Sequence, residues 1–108
     1  MYTVCMRYYM YHVTPRRNVP QIMREGLLVK HAKGKTKGIW LAHALRLPWL
    51  VCHISRHQKT RQEDLSILVV EVTDLPLRQI RQGIKVVSQD ITTNQICDVL
   101  YYAIGEPE

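Results

Sequence analysis

His12 and Thr14 sit two residues apart, and Arg16 and Arg17 follow directly. An imidazole donates, accepts or relays a proton. A threonine hydroxyl beside it adds a second hydrogen bond. Two guanidinium groups can grip a phosphate in a bidentate way. Together these four side chains suit a polar ligand that carries phosphates. Tyr8, Tyr9, Tyr11 and Val13 around them are aromatic or β-branched, and Pro15 ends the pattern, which predicts a short strand. His12 and Thr14 share one face of that strand, and Tyr11 and Val13 point the other way, toward a core. The segment therefore reads as the floor of a polar pocket. The plainer reading is an edge strand whose solvent face carries His and Thr.

Three further groups bear chemistry. Lys33, Lys35 and Lys37 punctuate a basic loop with Gly34 and Gly38. Glycines let backbone amides approach a phosphate and lysines neutralise it, so the loop is a candidate nucleic-acid contact. It lacks the spacing and preceding strand of a Walker A loop, and an ordinary surface loop has the same composition. Trp40 offers a ring for a base to stack on, although core packing is the commoner use of a Trp in an apolar strand. His43 follows that strand and would face the same cleft. His53 and His57 are spaced for one helix face, a spacing that can bind zinc. Ile54 stands where the H-E-x-x-H pattern needs Glu, and no metal is expected.

The chain has 108 residues, enough for a single domain with its own core. Residues 1–7 read as an extension and 105–108 as a frayed tail. No apolar run approaches the roughly 20 residues of a membrane span. Cys5, Cys52 and Cys97 are an odd count without C-x-x-C spacing, which points to free thiols and a cytoplasmic location. Charge is divided unequally. Before Glu63 there are twelve Lys and Arg against the single carboxylate Glu25; from Glu63 onward there are three against eight. A basic first half suits phosphates, on a nucleotide or on RNA or DNA.

The elements that must position these residues follow in order. Asn18, Pro20 and Gln21 predict a capped helix start, Val19, Ile22, Met23 and Leu27 its apolar stripe, and Gly26 its stop. Gly38 to Ala42 predicts a second strand and Trp49 to His57 a helix after Pro48. The near-continuous apolar run Leu65 to Val72 predicts a central strand. Asp74 to Ile80 reads as a short helix or turn closed by Gly83, Ile84 to Val87 as a strand, Ile91 to Ile96 as a capped turn, and Cys97 to Ile104 as the last strand. The fold class is α+β: a small mixed, mainly antiparallel sheet with two or three short helices set to one side.

The order of these pieces resembles the N-terminal half of the ADP-ribosyltransferase superfamily over roughly residues 8 to 45. The carriers are Tyr11-His12-Val13-Thr14, then Asn18-Val19-Pro20, Ile22 and Gly26-Leu27, then Gly38-Ile39-Trp40-Leu41-Ala42. It is most similar to the branch of tRNA 2′-phosphotransferases and DNA-modifying ADP-ribosyltransferase toxins. The resemblance implies a split-sheet fold with NAD as substrate. His12 and Thr14 would hold nicotinamide and ribose, Arg16 and Arg17 the pyrophosphate, and Trp40 and His43 would line the cleft. Active members usually carry a late-strand Glu, whereas the phosphotransferase branch uses Arg and His. The matching segment here, Val86 to Ile91, offers Gln89 and Asp90, and Glu71 lies on the earlier strand. The catalytic candidates are thus His12, Glu71 and Asp90. The implied function is ADP-ribosyl transfer to a nucleic acid or an RNA 2′-phosphate. The alternative is an inactive member that binds a nucleotide signal or nucleic acid through its basic half.

Overall fold

The computed structural model describes residues 7–32 and 38–101. Six strands form one open sheet: β1 (Tyr9–Pro15), β2 (Ile39–Ala42), β3 (Leu65–Glu71), β4 (Arg78–Arg81), β5 (Ile84–Val87) and β6 (Ile96–Tyr101). Their order is β4-β5-β2-β1-β3-β6, and every pairing is antiparallel. Among the described residues two α-helices accompany the sheet, α1 (Val19–Glu25) and α2 (Leu47–His57), which makes an α+β domain. Among the described residues no helix is long and apolar enough to cross a membrane.

β1 is an interior strand, between β2 and β3, rather than an edge. It pairs with β3 over its whole length, from Tyr9 opposite Glu71 to Pro15 opposite Leu65. Both parities of β1 and β3 carry apolar side chains, so both sheet faces must be covered. The helices accordingly lie on both sides, not on one as the sequence suggested. On one face Val13, Ala42, Leu50, Val51, Leu65, Ile67 and Ile84 form the core beneath α2. On the other, Met10, Leu41, Leu68, Val70 and Ile91 pack with Leu27 and with Ile22 of α1. Each such buried Leu or Ile contributes on the order of 2 kcal/mol by leaving water.

Three local expectations change. Residues 78–81 form strand β4, not a helix or turn, because Gly83 closes a hairpin with β5 at φ +78°. Asn18 makes no side-chain cap to α1. Its amide instead donates to the Thr14 hydroxyl at 3.4 Å, and Gln21 bonds Glu25. The capping box occurs later, where Thr92 and Gln95 close the turn before β6. Gly26 ends α1 as expected, at φ +85°. Of the expected extension over 1–7 all but the exposed Arg7 lies outside the described residues, as does the tail 105–108.

Candidate functional site

β1 and β2 meet at a single register pair, Tyr11 opposite Ala42, whereas β2 pairs with β5 over four and β1 with β3 over seven. The next antiparallel rung would set Val13 opposite Trp40, and the pairing does not reach it. A buried backbone carbonyl left there needs another partner. The His12 side chain supplies it: Nδ1 lies 2.8 Å from the Trp40 carbonyl oxygen. A carbonyl only accepts, so Nδ1 carries the proton and Nε2 is left as an acceptor. Among the described residues Nε2 has no hydrogen bond. Burial holds the His12 pKa below 6.5, partly opposed by the bond to Trp40. A neutral imidazole is thus fixed at the seam, with one nitrogen committed and one open.

Thr14 and Ser66 stand next to it. They are opposite each other on β1 and β3, on the same face as His12. Thr14 is buried, and Ser66 is fully buried with its hydroxyl unpartnered among the described residues. An unpaired hydroxyl in a core is unfavourable, and such groups are rare. Asn18, at the far end of this row, is exposed and reaches back to Thr14. His12, Thr14, Ser66 and Asn18 make a polar row at the sheet, with Leu68 opposite His12 and Leu41 among the apolar residues of the same face. Sequence reasoning missed Ser66, whose only signal was a lone hydroxyl inside the apolar run of β3.

The structure separates the other candidates. Arg16 and Arg17 leave β1 at the Thr14 end. They share an open depression of about 500 Å³ with Lys59, Thr60, Arg61 and Asp64. Arg16 donates to the Glu63 carbonyl at 2.7 Å, and its guanidinium lies 4.6 Å from the Tyr101 ring centre. His43 is exposed at the opposite end of the seam, where its amide donates to Gly83. The Trp40 ring points to the α2 face, away from His12, and stacks with Trp49 and His53. Glu71 opposes Tyr9 at the start of β1, on the parity facing away from His12. Asp90 is at the Thr14 end of the sheet, but its Oδ1 accepts the Val29 amide at 2.8 Å and caps the 3-10 turn Val29–His31. Lys33, Lys35 and Lys37 lie outside the described residues. The His53 and His57 rings lie 4.2 Å apart between centroids, tilted by 36° rather than stacked.

Two measurements follow from this geometry. Ser66→Ala should leave the denaturation midpoint unchanged or raise it, gaining up to about 1 kcal/mol, because the hydroxyl lost has no partner. A loss above about 1 kcal/mol would show that the hydroxyl is bonded within the fold. The second concerns acid. His12 and His53 both have lowered pKa values in the folded chain, so the unfolded chain binds more protons below pH 6.5. Their contribution to stability is complete above 6.5 and falls away as pH drops below it. Urea midpoints should decline between about pH 7 and pH 5.5, and His12→Gln should flatten part of that slope. An unchanged slope in the variant would remove His12 as the cause.

Comparison with protein-family models finds no match, and comparison with curated protein sequences finds none either.

Proposed function

We propose that the chain is an ADP-ribosyltransferase-like domain that holds an NAD-type dinucleotide at the seam between β1 and β2. The observation that supports it is the seam, where a single rung joins β4-β5-β2 to β1-β3-β6 and a neutral imidazole occupies the gap. A split of this kind is what the resemblance to ADP-ribosyltransferases implies. Nε2 of His12 would accept from a ribose hydroxyl or a carboxamide N–H. Thr14 and the unpartnered Ser66 hydroxyl extend the polar row toward the end of β1. Arg16 and Arg17 leave that end and are placed to neutralise phosphates. The acceptor class is a nucleic acid or an RNA 2′-phosphate, in keeping with the basic first half of the chain.

A second reading, binding without cleavage, is favoured by one observation. Glu71 is turned away from His12, and Asp90 already accepts the Val29 amide. Calorimetry with NAD, followed by assay of released nicotinamide, separates the two readings. Parent protein should bind at micromolar concentration. Release that survives in Glu71→Gln but disappears in Asp90→Asn, which keeps the oxygen facing Val29, would make Asp90 the acid. Binding with no release in any sample establishes the binding-only reading. An absence of NAD binding sinks the seam as a dinucleotide site.

A further inference from the structure

The opposite face of the sheet carries a second surface, built by α2 and the β4–β5 hairpin. Trp40 and Trp49 lie with ring centroids 6.5 Å apart and planes 8° from parallel. His53 lies 5.0 Å from the first and 4.9 Å from the second, within 15° of both planes. His57 adjoins His53 at 4.2 Å with its plane tilted by 36°, so the parallel set is Trp40, Trp49 and His53. Arg81 sits over Trp49, 4.5 Å from its ring centre. Beside it, Arg46, Trp49, Arg81 and Gln82 line an open depression of about 330 Å³. Arg46 is held there by contact with the hairpin turn: a Cβ on Gly83 would fall 2.4 Å from its Cγ. All these rings are at least partly exposed.

The electrostatics of this surface are one-sided. No carboxylate occurs in the sequence between Glu25 and Glu63 or between Asp74 and Asp90, the stretches that supply β2, α2, β4 and β5. Among the described residues the carboxylate ion pairs are those of Arg61 with Glu63 and Asp64. Arg46, Arg56 and Arg81 therefore have no anionic partner within the described fold. Burial, and then the charges of His57, Arg81 and Arg56, hold the His53 pKa below 6.5. Its ring at neutral pH is an uncharged plane ringed by cations.

We infer that this aromatic and arginine-rich face binds single-stranded nucleic acid. Phosphates would meet Arg46, Arg56 and Arg81, and unpaired bases would stack on the edge of the ring series. Parallel rings accept any base, and a free strand can splay its bases onto them, whereas a duplex keeps them stacked internally. A plain acidic peptide matches the charge and leaves the aligned rings unused. The surface lies across the sheet from His12, so its occupancy is independent of the NAD reading.

Both tryptophans of the chain, Trp40 and Trp49, belong to this surface, so tryptophan emission, excited beyond the tyrosine absorption band, reports on it alone. The test is titration of the full chain with uridine and thymidine 12-mers, the matching duplexes, and heparin as a base-free polyanion. Quenching and tight binding by single strands, weaker binding by duplex and no quenching by heparin are expected. The two single-strand arms show whether the 2′-hydroxyl matters. Arg46→Gln combined with Arg81→Gln should weaken single-strand binding at least fivefold and reduce the salt slope by about 1.4. Trp49→Leu should weaken it about tenfold with the salt slope unchanged. The arginines are exposed, and near-ultraviolet circular dichroism checks the fold of each variant. Equal binding of duplex, single strand and heparin with no effect of Trp49→Leu would overturn the inference. So would loss of strand binding on saturation with NAD, or failure of single strands to bind.

Discussion

Gly26→Ala is expected to destabilise the domain by about 3 kcal/mol or more, a large fraction of the 5–15 kcal/mol typical of a domain. Gly26 has φ +85° and ψ −177°, a region almost reserved for glycine. Space is also lacking, since a Cβ would fall 2.3 Å from the Ile91 carbonyl oxygen. That oxygen accepts the Leu27 amide at 2.9 Å, and the Ile91 amide returns a bond of the same length to Leu27. Relieving the clash pulls this two-bond bridge apart. Leu27 and Ile91 are both core residues of the His12 face, so the packing of that face is disturbed at the same time. Denaturant midpoints of Gly26→Ala and of a control at exposed Met23 measure the effect. A loss below about 1 kcal/mol would mean that the turn re-forms easily and that the bridge does not hold α1 in place.

His12→Ala is expected to have the largest effect on ligand binding. Two consequences must be separated. The first is structural: the Trp40 carbonyl loses its donor, which costs about 1–3 kcal/mol when the group stays away from water. The second is chemical: the open Nε2 disappears, and NAD affinity should fall at least tenfold, about 1.4 kcal/mol. Thr14→Val and Ser66→Ala distinguish the two, because neither touches Trp40. Reduced NAD affinity in both, with Ser66→Ala as stable as the parent, places the ligand along the polar row. If only His12→Ala weakens binding, and does so in proportion to its lost stability, the imidazole acts as a seam strut and the ligand contact is elsewhere.

Much of the scaffold was determined by the sequence itself. Aromatic and β-branched residues ended by Pro15 specify β1, the unbroken apolar run of β3 specifies an interior strand, and Gly26 marks the end of α1, because side-chain strand preference and glycine backbone freedom are local properties. The shared face of His12 and Thr14 is equally local. The short helix or turn expected over Asp74 to Ile80 gives way to strand β4 from Arg78, because a four-residue strand has too little pattern to compete with flanking turn signals; its pairing with β5 decides it. Only the tertiary structure decided how the chemical groups are distributed. Trp40 and His12 are near in any strand-order diagram, yet the register of Tyr11 with Ala42 puts their side chains on opposite faces. A register is a relation between distant segments, and no spacing within either segment encodes it. The same holds for Ser66, which joins the row through its pairing with Thr14, and for Asp90, whose carboxylate is taken by an amide 61 positions away in the chain. The ring surface on α2 shows the division most plainly. The sequence set His53 and His57 on one helix face, but the antiparallel sheet brought Trp40 and Arg81 to meet them, because cross-strand packing joins what the chain holds apart.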